Sequence, residues 1–201
     1  ALLELALHAG AGLQQADVQA QQGHILELRG HIATGQALGF LVIDTLGWVL
    51  FLQGQTEQAL PLLRDASGKP IFAQKGFHLS ITHSPRLAAV ILSEKYDVGI
   101  DIELVSAKAL RVADKFLTDK EKVFTAADEQ QTSLYWSAKE TLYKMYSQKQ
   151  LIFKENLLVE PAQSPENNLL QGRVITDKFS KLYQIHHELL LNHILTYSID
   201  R

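Results

Sequence analysis

Residues 77–103 read FHLSITHSPRLAAVILSEKYDVGIDIE, and this stretch decides the fold. Apolar and polar side chains alternate over residues 77–84, residues 87–93 form an apolar run, and residues 98–103 form a third apolar segment. Turns rich in Ser, Pro, Lys and Asp separate the three segments. Because the connections are short, the stretch predicts a meander of three antiparallel strands.

The residues that follow this stretch predict helices and further strands. Apolar spacing predicts one helix over residues 107–116 and another over about 133–147. Between them, Thr118 and Glu121 have the spacing of a capping box, which predicts a helix that starts at Thr118. The tail predicts three more strands, over residues 172–176, 182–189 and 194–199.

The patterns in residues 1–66 are weaker, and we expect one or two helices there, followed by a strand near residues 47–52. A turn is expected at residues 65–70, where Asp, Ser, Gly and Pro cluster. Runs of strands separated by runs of helices are typical of α+β proteins with antiparallel sheets. We therefore predict this fold class.

Bulk composition excludes several classes of protein. The chain has 201 residues, 46% hydrophobic and 20% charged, as in ordinary globular proteins, and its net charge of −3 provides no basic surplus for nucleic acid. It contains no cysteine, which excludes disulfides and thiolate metal sites. No basic region precedes the apolar N-terminal residues, and the most apolar stretch, 37–52, is short for a membrane span. We therefore expect a cytoplasmic protein without a membrane partner.

Asp101 and Glu103 lie two residues apart within the third predicted strand. Residues at that spacing point to the same face of a strand, so both carboxylates project together while Ile100 and Ile102 face a core. Two close carboxylates repel each other unless a cation or a proton lies between them. The alternative is an exposed strand end with two solvated acids, and the strand motif alone does not separate the two interpretations.

Glu140 and Lys144 lie one turn apart in a predicted helix, with Trp136 one turn earlier. Taken alone, the motif is most simply an exposed Glu–Lys pair beside a core tryptophan. With Asp101 and Glu103, however, Glu140 completes a set of three carboxylates that would suit Mg²⁺, with Mn²⁺ as the alternative ion. The lysine could then neutralise a substrate phosphate. The same residue types would serve a two-metal nuclease, although the chain lacks the basic surface that a nucleic acid needs.

Two further segments carry candidate ligand-binding residues. Residues 67–70 place Lys69 on a turn beside a glycine, and such turns approach phosphates closely. Thr82 and His83 end a strand just before a turn. Taken alone, these segments are more simply a surface turn and a structural or exposed histidine.

Five motifs, in their order and spacing, resemble those of the 4′-phosphopantetheinyl transferase superfamily. They are Gly68-Lys69-Pro70, residues 77–84, Gly99-Ile100-Asp101-Ile102-Glu103, Phe116-Leu117-Thr118-Asp119-Lys120-Glu121, and Trp136-Ser137-Ala138-Lys139-Glu140 with Lys144. Each motif alone is weak, but five in order across residues 65–155 are specific. The length of the chain is similar to that of the larger, surfactin-synthetase-activating type in the superfamily.

The resemblance implies a particular arrangement of the chain. In the larger type, two similar α+β halves with antiparallel sheets pack pseudo-symmetrically, and the active site lies at their interface. Here the two halves would be residues 1–104 and 105–201. The fused arrangement favours a monomer.

The resemblance also implies a reaction, namely holo-acyl-carrier-protein synthase activity. The 4′-phosphopantetheine group of coenzyme A, the co-substrate, would be transferred to a serine of an apo acyl carrier protein or peptidyl carrier protein, with release of adenosine 3′,5′-bisphosphate. By motif, Mg²⁺ would be bound by Asp101, Glu103 and Glu140. Coenzyme A would be held by Lys69, Pro70, Thr82, His83 and Lys144.

For catalysis, the resemblance implies Lys144 at the pyrophosphate and either Glu140 or Glu121 as general base. The match is incomplete near the N-terminus, where the family carries basic residues that hold the 3′-phosphate of coenzyme A. Residues 1–63 contain one lysine or arginine, Arg29. The alternative function is therefore a non-catalytic module of the same fold that binds coenzyme A or a carrier protein.

Overall fold

The computed structural model describes residues 38–44, 62–64, 69–72, 78–85, 87–93, 95–148, 150–161 and 168–201. Across these ranges the chain is α+β with antiparallel sheets, as the sequence predicts. The expectations for residues 1–37, 47–52 and 65–68 lie outside the described residues. No helix within the described ranges is long and apolar enough to cross a membrane.

The described residues form strands and helices with the following bounds. The strands are β1 (Leu38–Asp44), β2 (Leu62–Arg64), β3 (Pro70–Phe72), β4 (His78–His83), β5 (Leu87–Ser93), β6 (Asp97–Leu104), β7 (Leu157–Pro161), β8 (Leu169–Thr176), β9 (Phe179–Leu190) and β10 (His193–Asp200). The helices are α1 (Ala107–Phe116), α2 (Asp119–Thr125), α3 (Glu129–Tyr146) and α4 (Phe153–Asn156).

The strands pair in three antiparallel groups. A three-stranded sheet has the order β1-β5-β4, a five-stranded sheet has the order β6-β10-β9-β8-β7, and β2 pairs with β3. The predicted meander is therefore correct for β4 and β5 but wrong for β6. This strand pairs with β10, where Asp101 lies opposite Thr196. A short connection permits a hairpin but does not require one, because pairing depends on which strand faces can be buried.

Hydroxyl groups from β4 close the outer edge of β6. Ser80 Oγ accepts a hydrogen bond from Ile100 N–H at 3.1 Å, and Thr82 Oγ1 accepts one from Ile102 N–H at 3.3 Å. Backbone groups at a strand edge otherwise lack partners, and a buried group without one is costly. The two hydroxyls therefore hold β4 beside β6 and bring Thr82 next to the acidic strand.

Two apolar cores form around the five-stranded sheet. The larger one packs α3 on the sheet, and its members include Leu134, Ala138, Leu142, Val159, Val174 and Ile185. The smaller one joins β5 to β6 and β10, through Leu87, Ala89, Ile91, Val98, Ile100, Ile102 and Leu195. Both faces of β6 are therefore buried, and its polar side chains lie at the helix side.

The helix boundaries follow local capping chemistry. Thr118 caps α2, and both hydrogen bonds of the predicted capping box with Glu121 are present. Helix α3 starts at Glu129, earlier than predicted, because the Asp128 side chain accepts a hydrogen bond from the Gln131 N–H. The three tail strands are confirmed with longer bounds.

Candidate active site

Helix α3 lies very close to β6, and Gly99 permits this approach. A Cβ atom on Gly99 would lie 2.9 Å from the carbonyl oxygen of Thr141 and 2.9 Å from Met145 Sδ. On β10, the Thr196 hydroxyl is hydrogen-bonded to Ser137 Oγ at 2.9 Å and to Thr141 Oγ1 at 2.7 Å. These contacts fix the rotation of α3 over the sheet and thereby the positions of its polar side chains.

Asp101 is almost fully buried, with 4% of its surface exposed. Its Oδ1 accepts hydrogen bonds from Thr82 Oγ1 at 2.9 Å and from Lys144 Nζ at 2.9 Å. Lys144 Nζ also donates to the carbonyl oxygen of Ile100 at 2.8 Å. The other carboxylate oxygen, Oδ2, is buried and has no hydrogen-bond partner in the described part of the chain. Since a buried polar atom without a partner costs about 1–3 kcal/mol, this oxygen is a candidate ligand atom.

Glu103 and Glu140 bring two more carboxylates to the same face of the sheet. Trp136 Nε1 donates a hydrogen bond to Glu103 Oε1 at 2.9 Å. Burial raises the pKa of Glu103, and the negative charge of Asp101 raises it further. Burial raises the pKa of Glu140 to about 7, and the charge on Asp101 contributes to this rise while Lys144 opposes it. The three acids thus repel one another, and a cation would relieve the repulsion.

The chemistry of these donors fits Mg²⁺, which prefers carboxylate oxygens and retains sites for water and substrate phosphate. The unpartnered Oδ2 of Asp101 is a ready donor. In the residues that the structure describes, no three His, Cys, Asp or Glu side chains are arranged to hold a metal ion as they stand. The carboxylates of Glu103 and Glu140 would therefore have to move to share an ion with Asp101.

In the metal-free protein, the raised pKa of Glu140 predicts that stability decreases as pH rises. The folded state holds this proton up to about pH 7, whereas an ordinary glutamate loses it near pH 4.5. The stabilisation is therefore complete below pH 4.5 and is lost as pH rises through about 7. The loss would amount to about 3 kcal/mol at most. Urea denaturation in EDTA from pH 4.5 to 8 should show a larger loss of stability in the wild type than in Glu140→Gln, in which Glu103 with its raised pKa remains. Parallel pH profiles for the two proteins would contradict the prediction.

Lys69 lies at the C-terminal end of α3. Its Nζ donates a hydrogen bond to Ser147 Oγ at 3.0 Å, and Ser147 Oγ donates to the carbonyl oxygen of Lys144 at 2.7 Å. Lys69 and Lys144, both identified from the sequence, therefore lie at the same end of this helix, beside the buried carboxylate of Asp101. This end of the site is suited to an anion.

Among the other predicted coenzyme A residues, Thr82 contacts Asp101 directly. His83 is the exposed last residue of β4, and because side chains alternate along a strand, it points to the opposite face from Thr82. Pro70 begins β3, opposite Arg64. The structure therefore brings Thr82 into the acidic group and leaves His83 facing away from it.

Glu121 belongs to a separate buried network. Its Oε2 accepts hydrogen bonds from Thr118 N–H at 2.7 Å and from Lys139 Nζ at 2.8 Å, and its Oε1 accepts one from Val159 N–H at 2.8 Å. The exposed fractions of the Lys139 and Glu121 side chains are 0% and 3%. A carboxylate so fully occupied and so well buried is poorly placed to accept a substrate proton. These contacts argue against the role of general base that the resemblance implies for Glu121. They indicate instead that Glu121 stabilises the fold.

A groove that the sequence did not reveal opens beside Glu103. Its volume is about 490 Å³, and its apolar wall consists of Leu104, Ala109, Val112, Phe116, Trp136 and Phe153. The indole of Trp136 stacks on the ring of Phe153, with centroids 5.5 Å apart, and meets the ring of Phe116 edge-on at 5.0 Å. This volume is in the range of small-molecule sites, roughly 300–1,000 Å³.

Ser133 is a polar residue in the lining of this groove. It is 1% exposed, and its Oγ has no hydrogen-bond partner within the described ranges. A serine inside a helix usually bonds to a carbonyl of the preceding turn, which Ser133 does not do. The i, i+3, i+7 spacing of Ser133, Trp136 and Glu140 places all three on one face of α3 and could have signalled this wall from the sequence.

Comparison with known proteins identifies the family. The model of the 4′-phosphopantetheinyl transferase superfamily matches residues 97–198, half of the chain and the part that carries β6, α3 and the five-stranded sheet. A search of curated proteins found no match. The matched region contains Asp101, Glu103, Glu140 and Lys144, the residues that the fold brings together across β6 and α3. The chain therefore belongs to the 4′-phosphopantetheinyl transferase superfamily.

Proposed function

We propose that the chain is a Mg²⁺-dependent enzyme that transfers the 4′-phosphopantetheine group of coenzyme A to a serine of an apo carrier protein. The observation that carries this proposal is the meeting of Asp101 and Glu103 on β6 with Glu140 and Lys144 on α3, in a chain of this superfamily. Carboxylates for a divalent ion beside a lysine for a phosphate are what a pyrophosphate substrate requires.

Each residue of the group has a proposed role. Asp101, Glu103 and Glu140 would hold Mg²⁺, or Mn²⁺ in its place. The bound ion would supply Lewis-acid stabilisation of negative charge on the pyrophosphate. Lys144, held by Asp101 and the carbonyl oxygen of Ile100, would direct its positive charge to the pyrophosphate and stabilise the leaving group.

In the proposed reaction, the serine hydroxyl oxygen attacks the phosphorus atom nearest the pantetheine. The new P–O ester bond forms as the bond to the bridging pyrophosphate oxygen breaks, and adenosine 3′,5′-bisphosphate leaves. Glu140 would accept the serine proton. Its pKa of about 7 describes the metal-free protein, and a bound cation would lower that pKa, so that the carboxylate is ionised and able to accept a proton at neutral pH. Glu121, whose oxygens are occupied in a separate network, is not part of the proposed reaction.

We propose that coenzyme A lies with its two ends on opposite sides of Glu140. The pyrophosphate would lie near Lys69 and Lys144, with Pro70 and Thr82 in the same region. The exposed His83, which faces away from the acids, would contact the far end of the nucleotide near its 3′-phosphate. The pantetheine arm would extend along the apolar groove, where the unpartnered hydroxyl of Ser133 could bond to one of the arm's amides.

We also propose that the chain is of the larger, two-half type within the superfamily and acts as a monomer. The active site would then lie between residues 1–104 and 105–201. Strand β6 precedes this boundary but pairs with β10 of the following part. It would therefore be the element through which the two halves share the site.

The test is mass spectrometry of apo acyl carrier protein and apo peptidyl carrier protein after incubation with the chain, coenzyme A and Mg²⁺. We expect at least one carrier to gain one phosphopantetheine group and an equal amount of adenosine 3′,5′-bisphosphate to appear. Calorimetric binding of coenzyme A without any transfer would favour the non-catalytic module instead. Absence of transfer, together with absence of binding to coenzyme A and to both carriers, would refute both functions.

A further inference from the structure

The hairpin between β9 and β10 ends in an exposed apolar tip. The exposed fractions of Leu189 and Leu191 are 56% and 66%, whereas Leu190 between them packs against the smaller core. Single exposed leucines are common, but two that flank a partly buried leucine form a local apolar surface.

The backbone of the turn does not favour leucine. Leu191 and Asn192 have φ angles of 48° and 61°, so the two-residue turn between β9 and β10 has positive φ at both positions. Such turns strongly prefer Asn, Asp and Gly, because a longer side chain crowds the backbone in the left-handed region. Leu191 thus contributes neither burial nor a favourable conformation to the fold. Departures of this kind are expected at functional surfaces.

The tip lies beside the candidate active site. Ile194 on β10 is opposite Glu103 on one side and Leu189 on the other, so these three residues form one row on the same face of the sheet. Two strand spacings separate Glu103 from Leu189, about 10 Å. In addition, the Val105 N–H donates a hydrogen bond to the carbonyl oxygen of Asn192 at 3.0 Å, which ties the turn to the connection between β6 and α1.

Helix α1, which lines the groove together with Glu103, presents a basic stripe. Lys108, Arg111 and Lys115 are exposed and follow the i, i+3, i+7 spacing of one helical face. Lys108 and Lys115 also line the groove. Within the described ranges none of the three forms an ion pair. Since the whole chain has a net charge of −3, this stripe is a local positive surface.

We propose that the hairpin tip, Leu189 and Leu191, is a docking element for the carrier protein. It would contact an apolar side of the segment that presents the acceptor serine, while the basic stripe of α1 would meet acidic side chains on the same segment. This inference rests on the proposed function, because the serine must reach Glu140 and the partner must therefore cover the mouth of the groove. Removing apolar contact at the tip should weaken carrier binding without altering coenzyme A binding.

The kinetics of transfer by Leu191→Asn and Leu189→Thr test the inference. The substrate is an apo acyl carrier protein or an apo peptidyl carrier protein, and the one that the wild type modifies faster is used. Asparagine is favoured in this turn and threonine in an exposed strand, so both variants should fold. We expect the KM for the carrier to rise roughly tenfold in each, as for a contact residue within an interface, with kcat and the KM for coenzyme A unchanged. The matched control is Leu182→Thr, because Leu182 is 49% exposed on β9 but lies on its other face.

The outcomes separate this inference from the proposed function. If the wild type transfers the group and both tip variants keep the wild-type KM for the carrier, the docking role is overturned and the enzyme remains. If the wild type modifies neither carrier, both proposals are overturned. A selective rise in the carrier KM at the tip, absent in Leu182→Thr, supports the docking role, since a general loss of stability would not spare kcat and the KM for coenzyme A.

Discussion

Asp101→Asn is expected to slow phosphopantetheine transfer about a thousandfold. The substitution removes a negative charge that the proposed Mg²⁺ site requires, and the ion would supply several kcal/mol of transition-state stabilisation. Asparagine keeps an oxygen that can accept the hydrogen bonds from Thr82 and Lys144, so the change is milder for the fold than alanine. Single-turnover kinetics with saturating coenzyme A and increasing Mg²⁺ would measure the effect.

The matched control is Asp97→Asn, the same substitution on the same strand. The Asp97 side chain is 55% exposed and pairs with His78 at 2.8 Å, away from the acidic group. Its replacement should leave the transfer rate unchanged. A wild-type rate in Asp101→Asn, or an equal loss in both variants, would refute the role of Asp101 in metal binding.

Lys139→Met is expected to lower the free energy of unfolding by about 3–5 kcal/mol, because it leaves the buried charge of Glu121 without its partner. Lys139 Nζ also donates hydrogen bonds to the carbonyl oxygens of Phe116 at 2.6 Å and Phe153 at 3.2 Å, and both would lose this donor. Urea denaturation at neutral pH would measure the loss. In the control, Lys120→Met, an exposed lysine loses its pairing with Glu160 and the cost should remain below about 1 kcal/mol.

Glu121→Gln separates a stabilising role of this acid from a catalytic one. Its oxygens join α2 to α3 and β7, so the variant should be less stable than the wild type. The kcat of the folded fraction should be unchanged if Glu140 is the base. A large fall in kcat with stability preserved would instead make Glu121 the catalytic acid–base residue.

Local features of this fold were predictable because they depend on neighbouring residues. The bounds of β4, β5 and β6 agree with the sequence patterns to within one residue at each end, and the Thr118 capping box is present. The pairing of β6 with β10 was not predictable, since a strand pattern states which face is buried but not which distant strand lies beside it. The expected meander failed at this non-local step.

The same distinction applies to the candidate site. Residue spacing placed Asp101 and Glu103 on one face of a strand, and the fold brings that face to α3. The spacing could not distinguish the surroundings of Glu140, which lies beside these acids, from those of Glu121, whose partner Lys139 is distant in sequence. The groove was also missed, because it arises only where α1, α3 and the end of β6 pack together.

The most direct test of the central claim is a crystal structure of the chain with coenzyme A and Mg²⁺. We predict a metal ion bound by Asp101, Glu103 and Glu140 together with the pyrophosphate of coenzyme A. Lys144 should lie at a phosphate oxygen, and the pantetheine arm should lie in the groove that leads to Ser133. Coenzyme A bound away from these carboxylates, or bound beside them with no metal between, would contradict the account.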